Sequence, residues 1–269
     1  CDLPKDLVQQ YAINVVPLFI NIGSRGYLDG VELSRKEFYE RLPDYSPPPT
    51  TATPGIEAFQ AVYHKLAAEG ATEVLSIHIS VSLSATIEIA QSAARQTTEV
   101  PVTAFDSRQL SVGTGFLVLT AAKAAAQGLS VAEILPILNE QIARTHTFAA
   151  LDTLEFLRRS GRMNGVVAGL GQILQVKPIL RMYDGKPTAE RVRTREKAIT
   201  RMIGWLQELQ PFEQAALVHA NARQRAEELL QRVRHLLPPG DLPIMEITPV
   251  IGAHIGTGVV GFALISARR

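Results

Sequence analysis

The sequence has almost no cysteine, since Cys1 is the only one among 269 residues. A single cysteine cannot form an internal disulfide, which excludes the disulfide-stapled class of small secreted proteins. The length is enough for one large domain or two ordinary ones. We expect the protein to work in a reducing compartment, the cytoplasm.

Net charge and long apolar runs are also scarce. The formal net charge is only +1, so no global field favours nucleic acid or a membrane surface. The longest apolar run, Phe116 to Ala126, is interrupted by Lys123, whereas a membrane-spanning helix needs about 20 apolar residues. The sequence predicts no nucleic-acid partner and no stable membrane insertion, and it leaves transient membrane contact open.

The motifs of common catalytic and cofactor sites are missing as well. The six histidines are scattered, with no HExxH motif and no cysteine pair, which argues against a metal site. The sequence contains neither a GxSxG nucleophile elbow nor a Walker phosphate loop. We therefore expect no catalytic residue, no metal and no cofactor, and a function in binding rather than catalysis.

One glycine motif matches a cofactor signature by its letters alone. Residues 256–261 spell GTGVVG, the GxGxxG pattern of dinucleotide-binding folds. That pattern needs a strand before it and a helix after it, whereas here a predicted strand follows it. We interpret it as a tight glycine turn that holds His254 near a ligand.

What the sequence does contain is a strand, a serine-rich turn and a helix over residues 74–94. Apolar residues alternate along the strand, and the residues after Ile87 repeat at helical spacing. Ser80, Ser82, Ser84 and Thr86 lie between them. Because the first N–H groups of a helix have no partner within the helix, this turn predicts an anion-binding site.

A second group of hydroxyl side chains lies in the proline-rich segment 47–54. Thr53 followed by Pro54 predicts a helix that Thr53 caps and Pro54 opens. The threonines here are either helix caps alone or a second set of hydroxyls at the ligand site.

The order of predicted elements indicates an α/β fold in two domains. Strands alternate with helices up to about residue 146, which predicts a mostly parallel α/β sheet domain at 1–146. Beyond it, Asp184-Gly185 marks a hairpin and residues 165–174 read as a glycine-punctuated helix. A hairpin mixed with helices predicts a second, mixed α+β domain at 147–269.

The second half also carries a basic segment, residues 158–201. It holds eleven Lys and Arg residues against three acidic ones, a local excess of +8. Such a segment is either a solvated face or a face for phosphate, an acidic protein or nucleic acid.

Six motifs, in this order, resemble those of the DegV family, whose members are fatty-acid-binding subunits of bacterial fatty acid kinases. The motifs span nearly the whole chain. They are Pro49 to Pro54, Ser82 to Thr86, Phe105 to Ser107, Leu151 to Met163, Lys177 to Thr194 and Gly252 to Gly258.

The resemblance implies that a long-chain fatty acid, such as palmitate, stearate or oleate, lies between the two domains. Thr51 and Ser84 would hold its carboxylate, and His254 would lie near the head group. The other positions that match the family's ligand site are Thr53, Ala85, Thr86 and Gly256. The resemblance also implies a separate fatty acid kinase as partner, with Arg162 and Arg193 facing that kinase or the acyl phosphate.

Two positions depart from the family's motifs, because Ala52 and Ala85 stand where the family has serine and glycine. Two other functions remain open at this point. One is a small-molecule kinase or hydrolase that uses His254 with Ser84 or Asp106. The other is a nucleic-acid-binding regulator that works through the basic segment.

Overall fold

The architecture is described by a computed structural model for residues 1–162 and 176–268. The helices of these residues are α1 Lys5–Gln10, α2 Arg35–Arg41, α3 Ile56–Ala68, α4 Thr86–Gln96, α5 Ser111–Ala126, α6 Val131–Ile142, α7 Glu155–Arg159, α8 Arg195–Leu209, α9 Arg223–Val233 and α10 Pro249–Ile255. The strands are β1 Phe19–Ile22, β2 Arg25–Leu28, β3 Thr50–Ala52, β4 Val74–His78, β5 Val102–Asp106, β6 Thr145–Ala150, β7 Lys177–Tyr183, β8 Lys186–Val192, β9 Phe212–Ala220, β10 Ile244–Glu246 and β11 Val259–Ser266.

The strands of the described residues form three sheets. One is antiparallel, in the order β2-β1-β3, and a second is the parallel pair β4-β5. The third is mixed, in the order β10-β9-β11-β6-β7-β8, and its β10-β9 pair is parallel. Strands and helices mixed in this way confirm the predicted α/β class, while the domain division near residue 146 remains a prediction.

The six-stranded sheet is apolar on both faces, as expected for a sheet that is covered on both sides. On one face Phe148, Phe262 and Leu217 pack against α8 and α9, with Trp205 edge-on to Phe148 at 5.1 Å between ring centroids. On the other face Val218 and Ala263 belong to a second core that includes α2, α7 and α10. This second face is the one that the candidate site uses.

Local sequence signals set several element ends. The Ser130 side chain and the Glu133 side chain cap α6 reciprocally, and the Ser34 Oγ accepts a hydrogen bond from the Glu37 N–H at the start of α2. Asp184 and Gly185 both take positive φ, 46° and 74°, between β7 and β8. This confirms the predicted hairpin, because a two-residue turn of that type needs positive φ at both positions.

One predicted feature is wrong in detail. Gly55, not Thr53, is the N-cap of α3, because β3 pairs with β1 and the chain stays extended beyond it. The predicted helix 165–174 lies outside the described residues.

Candidate functional site

A cavity of about 680 Å³ lies beside the six-stranded sheet and is lined by residues of the sheet and of several other elements. That volume falls within the range of roughly 300–1,000 Å³ that is typical of small-molecule sites. Its sheet wall is mostly apolar, with Ala149, Leu180, Met182 and Val218, but the lining strands also contribute Thr147, Arg181 and Thr188. The opposite wall is built by three further segments: β3, the turn between β4 and α4, and α10. The cavity therefore has the shape and lining that suit an apolar ligand.

Polar side chains from separate elements meet on this second wall. Thr51 lies on β3 and His254 lies in the last turn of α10, 203 residues later in the chain. The Thr51 Oγ1 and the His254 Nε2 are 2.9 Å apart, which is a hydrogen bond. Ser84, from the turn before α4, lines the same cavity.

His254 is held in its neutral form. Burial, with a smaller contribution from the positive charge of Arg162, lowers its pKa from 6.5 to about 4. Its Nδ1 is buried and finds no hydrogen-bond partner among the residues that the structure describes. A neutral imidazole has one donor and one acceptor nitrogen, and here the Nε2 atom is the one that bonds to Thr51.

The serine-rich turn presents the Ser84 hydroxyl to the cavity, and Thr86 holds that hydroxyl by hydrogen bonds. The Ser84 Oγ is 2.7 Å from the Thr86 Oγ1, and the Thr86 N–H donates to the Ser84 Oγ at 3.3 Å. Thr86 is itself only 3% exposed. Ala85, the N-cap of α4, supplies no side-chain cap, which leaves that helix N-terminus open to an anionic group.

The structure brings together most of the site residues expected from the sequence. Those that line the cavity are Thr51, Thr53, Ser84, Ala85, Arg162 and His254. Thr86 and Gly256 lie outside this lining: Thr86 backs Ser84, and Gly256 ends α10 against Phe156. Arg193 is exposed between β8 and α8 and does not line the cavity. The roles of these residues in binding remain predictions.

The geometry gives no support to a serine nucleophile. His254 contacts Thr51 rather than Ser84, whose Oγ is hydrogen-bonded to Thr86. The Asp106 Oδ1 accepts the Arg108 N–H at 2.7 Å, so this carboxylate stabilises its own turn. A serine activated by a histidine and a carboxylate would need these three groups in contact.

The basic segment 158–201 is partly neutralised by carboxylates that precede or follow it. Arg158 and Arg159 both pair with Glu155. Asp152 pairs with Lys177 and Arg195. The excess of +8 counted along the sequence is therefore smaller in the folded protein, which weakens the case for a nucleic-acid face.

Sequence reasoning missed the helix that carries His254. Val250, Ile251 and Ile255 of α10 line the cavity, a spacing that fits one face of a helix. It also missed Glu88, an exposed acid in the first turn of α4 that lines the cavity one turn after Ser84. The glycines at 252, 256 and 258 concealed the helix, because they favour a turn.

Two further properties hold for the described ranges 1–162 and 176–268. They contain no group of three or more His, Cys, Asp or Glu side chains that is arranged to hold a metal ion. None of their helices has the length and apolar character needed to cross a membrane.

Comparison with known proteins identifies close likenesses along the whole chain. The model of the DegV protein family matches residues 1–267. A DegV domain-containing protein of Streptomyces coelicolor is 35% identical over 274 residues, which cover 99% of this chain and 95% of that protein.

Solved structures also match nearly the whole chain. A DegV family protein of Thermus thermophilus, described by its fatty acid binding, has a TM-score of 0.88 at 32% identity and covers 99% of this chain and 96% of its own. DegV of Bacillus subtilis, described as a fatty acid binding protein, has a TM-score of 0.89 at 30% identity, with 98% and 95% covered.

Proposed function

The chain belongs to the DegV family, and on this basis we propose that it binds a long-chain fatty acid in the cavity beside the six-stranded sheet. The solved relatives from Thermus thermophilus and Bacillus subtilis are fatty-acid-binding proteins. The family is accordingly one of binding proteins and not of enzymes, and we assign no catalytic residue.

One observation carries the proposal: an apolar cavity of about 680 Å³ that has hydroxyl and imidazole groups on one wall. A fatty acid needs both, an apolar slot for its tail and a small polar region for its head. Burial of about 15 CH₂ groups at ~0.8 kcal/mol each offers roughly 12 kcal/mol before the costs of association. The tail therefore supplies most of the affinity, whichever saturated or unsaturated chain is bound.

In this proposal the carboxylate of the fatty acid lies against Thr51, Ser84 and His254. Each hydroxyl can donate one hydrogen bond, and a buried carboxylate needs such donors to offset its loss of water. Arg162, which lines the cavity, adds a positive charge. Ala52 stands where a serine would offer a further hydroxyl. The carboxylate therefore has one hydrogen-bond donor fewer than such a serine would give it.

The proposal extends to a partner, a separate fatty acid kinase that phosphorylates the bound carboxylate. Arg162 lines the cavity and Arg193 is exposed on the loop before α8. Both would face the kinase or the acyl phosphate, since a guanidinium suits phosphate recognition. A protein of this kind would act in the cytoplasm, with no more than transient membrane contact.

Native mass spectrometry of the purified protein tests the binding step, followed by titration of the delipidated protein with oleate. We expect a co-purified fatty acid of 16 or 18 carbons. We also expect Ser84→Ala to weaken oleate binding about tenfold, which corresponds to the loss of one hydrogen bond to a charged group. A protein that neither carries nor takes up a fatty acid contradicts the proposal.

Ser82→Ala is the matched control for Ser84→Ala. Ser82 lies in the same turn, where its Oγ contacts the Ser80 Oγ at 3.0 Å, and it does not line the cavity. If both variants lose the same affinity, the effect comes from the turn as a whole and the assignment of Ser84 to the carboxylate is wrong.

A further inference from the structure

The Gly256–Gly258 turn follows His254, and backbone hydrogen bonds from both of its glycines hold it in place. Gly256 (φ 77°) ends α10 and donates its N–H to the Gly252 carbonyl at 2.8 Å. Gly258 (φ 80°) donates its N–H to the Ala220 carbonyl at 2.7 Å. These values lie in the left-handed region that glycine favours. The turn thus joins the end of α10 to the end of β9 and the start of β11.

Side chains press on this turn from two sides. A Cβ at Gly256 would lie 2.5 Å from the Phe156 ring, so that ring rests directly on the backbone. A Cβ at Gly258 would overlap the Asp152 carboxylate and come within 2.9 Å of the Arg225 guanidinium. The Arg225 Nη1 donates to the Gly258 carbonyl at 3.2 Å and to the Asp152 Oδ2 at 3.1 Å.

Asp152 is a strong anchor for Arg225. Burial alone would raise the pKa of its carboxyl, but hydrogen bonds from Arg195 and Arg225 outweigh burial and hold this pKa below its ordinary value. Lys177 is a third cation, with its Nζ 3.6 Å from the Asp152 Oδ1. The carboxylate stays ionised near neutral pH and holds the guanidinium in place beside the turn.

We propose that Asp152 and Arg225 are positioning residues for His254: they fix the Gly256–Gly258 turn and thereby hold the imidazole against Thr51 in the cavity wall. His254 is two residues before Gly256, in the last turn of a helix of only seven residues. A helix that short has little stability of its own, so its end is placed by the contacts around it. This inference rests on the proposed function and adds to it two residues that lie outside the cavity lining.

Two measurements on delipidated protein test the inference. The first is the ¹⁵N chemical shifts of the His254 imidazole, which report its tautomer and its bond to Thr51. The second is the affinity for oleate. Arg225→Ala is expected to move the imidazole shifts and to weaken oleate binding about tenfold, because one hydrogen bond to the bound head group is lost.

Arg223→Ala is the control, since Arg223 lies on the same helix and pairs with Glu227 at 2.7 Å on the exposed side. It should leave both measurements as in the wild type. Arg225→Lys keeps a cation that can donate to both oxygens, so it should recover part of each effect. If Arg225→Ala does not fold, Arg225→Lys is the variant on which both measurements are made.

Wild-type imidazole shifts together with wild-type oleate affinity in the folded Arg225 variants would overturn the positioning role. A change that is confined to the melting temperature would do the same, because it would show a structural role alone. If the wild-type protein does not bind oleate, the proposed function is wrong. The imidazole shifts need no ligand and still decide whether Arg225 positions His254.

Discussion

Asp29 is a half-buried carboxylate at the far end of the helix that carries His254. Its Oδ2 accepts the Val250 N–H at 3.4 Å, and its Oδ1 is buried with no partner among the described residues. Burial raises its pKa from 3.8 to about 6, although the bond from Val250 opposes the shift. The nearby Asp2 carboxylate adds to the increase. Compared with the unfolded chain, the folded protein therefore favours the protonated form of Asp29.

This shift predicts that stability falls as pH rises through the range from about 4 to 6. In that range the folded state binds more protons at Asp29 than the unfolded state does, so each increase in pH favours unfolding. Asp29→Asn removes the titration. Its stability relative to wild type should increase by about 2 kcal/mol between pH 4 and pH 8.

Urea unfolding of both proteins at the two pH values measures this difference. Asp241→Asn serves as the control, because Asp241 is an exposed aspartate. A stability difference between Asp29→Asn and wild type that does not change with pH would contradict the raised pKa of Asp29.

At the same scale, the sequence identified five of the ten polar residues that line the cavity, but not their contacts. Ser84 is marked by its position between a strand and a helix, which is a local signal. The bond between Thr51 and His254 spans 203 residues, and no local pattern predicts it. The motif resemblance named both residues, and only the fold brings their side chains together.

At the scale of elements, the last glycine of the GxGxxG motif is required for packing within the sheet. Gly261 lies on β11 opposite Ala149 of β6, and a Cβ there would overlap the Phe148 carbonyl and the Ala149 backbone. Gly204, within α8, has open space where a Cβ would lie. A Cβ would clash at Gly261 and would be free at Gly204, so alanine should have opposite effects at the two positions.

We predict that Gly261→Ala destabilises the fold by at least about 3 kcal/mol, because two central strands would have to move apart. Gly204→Ala should stabilise it by about 0.5–1 kcal/mol, the difference in helix propensity between the two residues. Thermal and urea unfolding measure both changes. A mild effect of Gly261→Ala would mean that β11 and β6 are less tightly paired than the contact requires.

Elements were predictable where the signal is local and were missed where a distant contact decides. The capping box of α6 and the Asp184-Gly185 hairpin depend on neighbouring residues alone. The helix α10 contains Gly252, which lowers helix propensity. A side chain at this position would overlap the Tyr39 ring, so glycine is needed for a contact that lies 213 positions away in the sequence.

At the scale of the whole molecule, the cavity separates two sets of elements that the proposed ligand would join. The sheet wall comes from β6, β7 and β9, and the opposite wall from β3, α10 and the turn before α4. A bound acyl chain would contact both walls, so it should stabilise the folded state by an amount that grows with its affinity. Tail burial then governs both binding and stability.

This predicts a steep dependence on chain length and a weak dependence on salt. Each CH₂ removed from a saturated fatty acid should lower affinity about fourfold, since its burial is worth ~0.8 kcal/mol. Calorimetric titration of the delipidated protein with palmitate, myristate and laurate, at low and high salt, measures both dependences. Ser84→Ala should lower every affinity by the same factor and leave the slope with chain length unchanged, because it removes a contact with the head group and none with the tail. An affinity that falls strongly with salt but is insensitive to chain length would place the binding energy in charge rather than in the apolar cavity, and would contradict the proposed mode of binding.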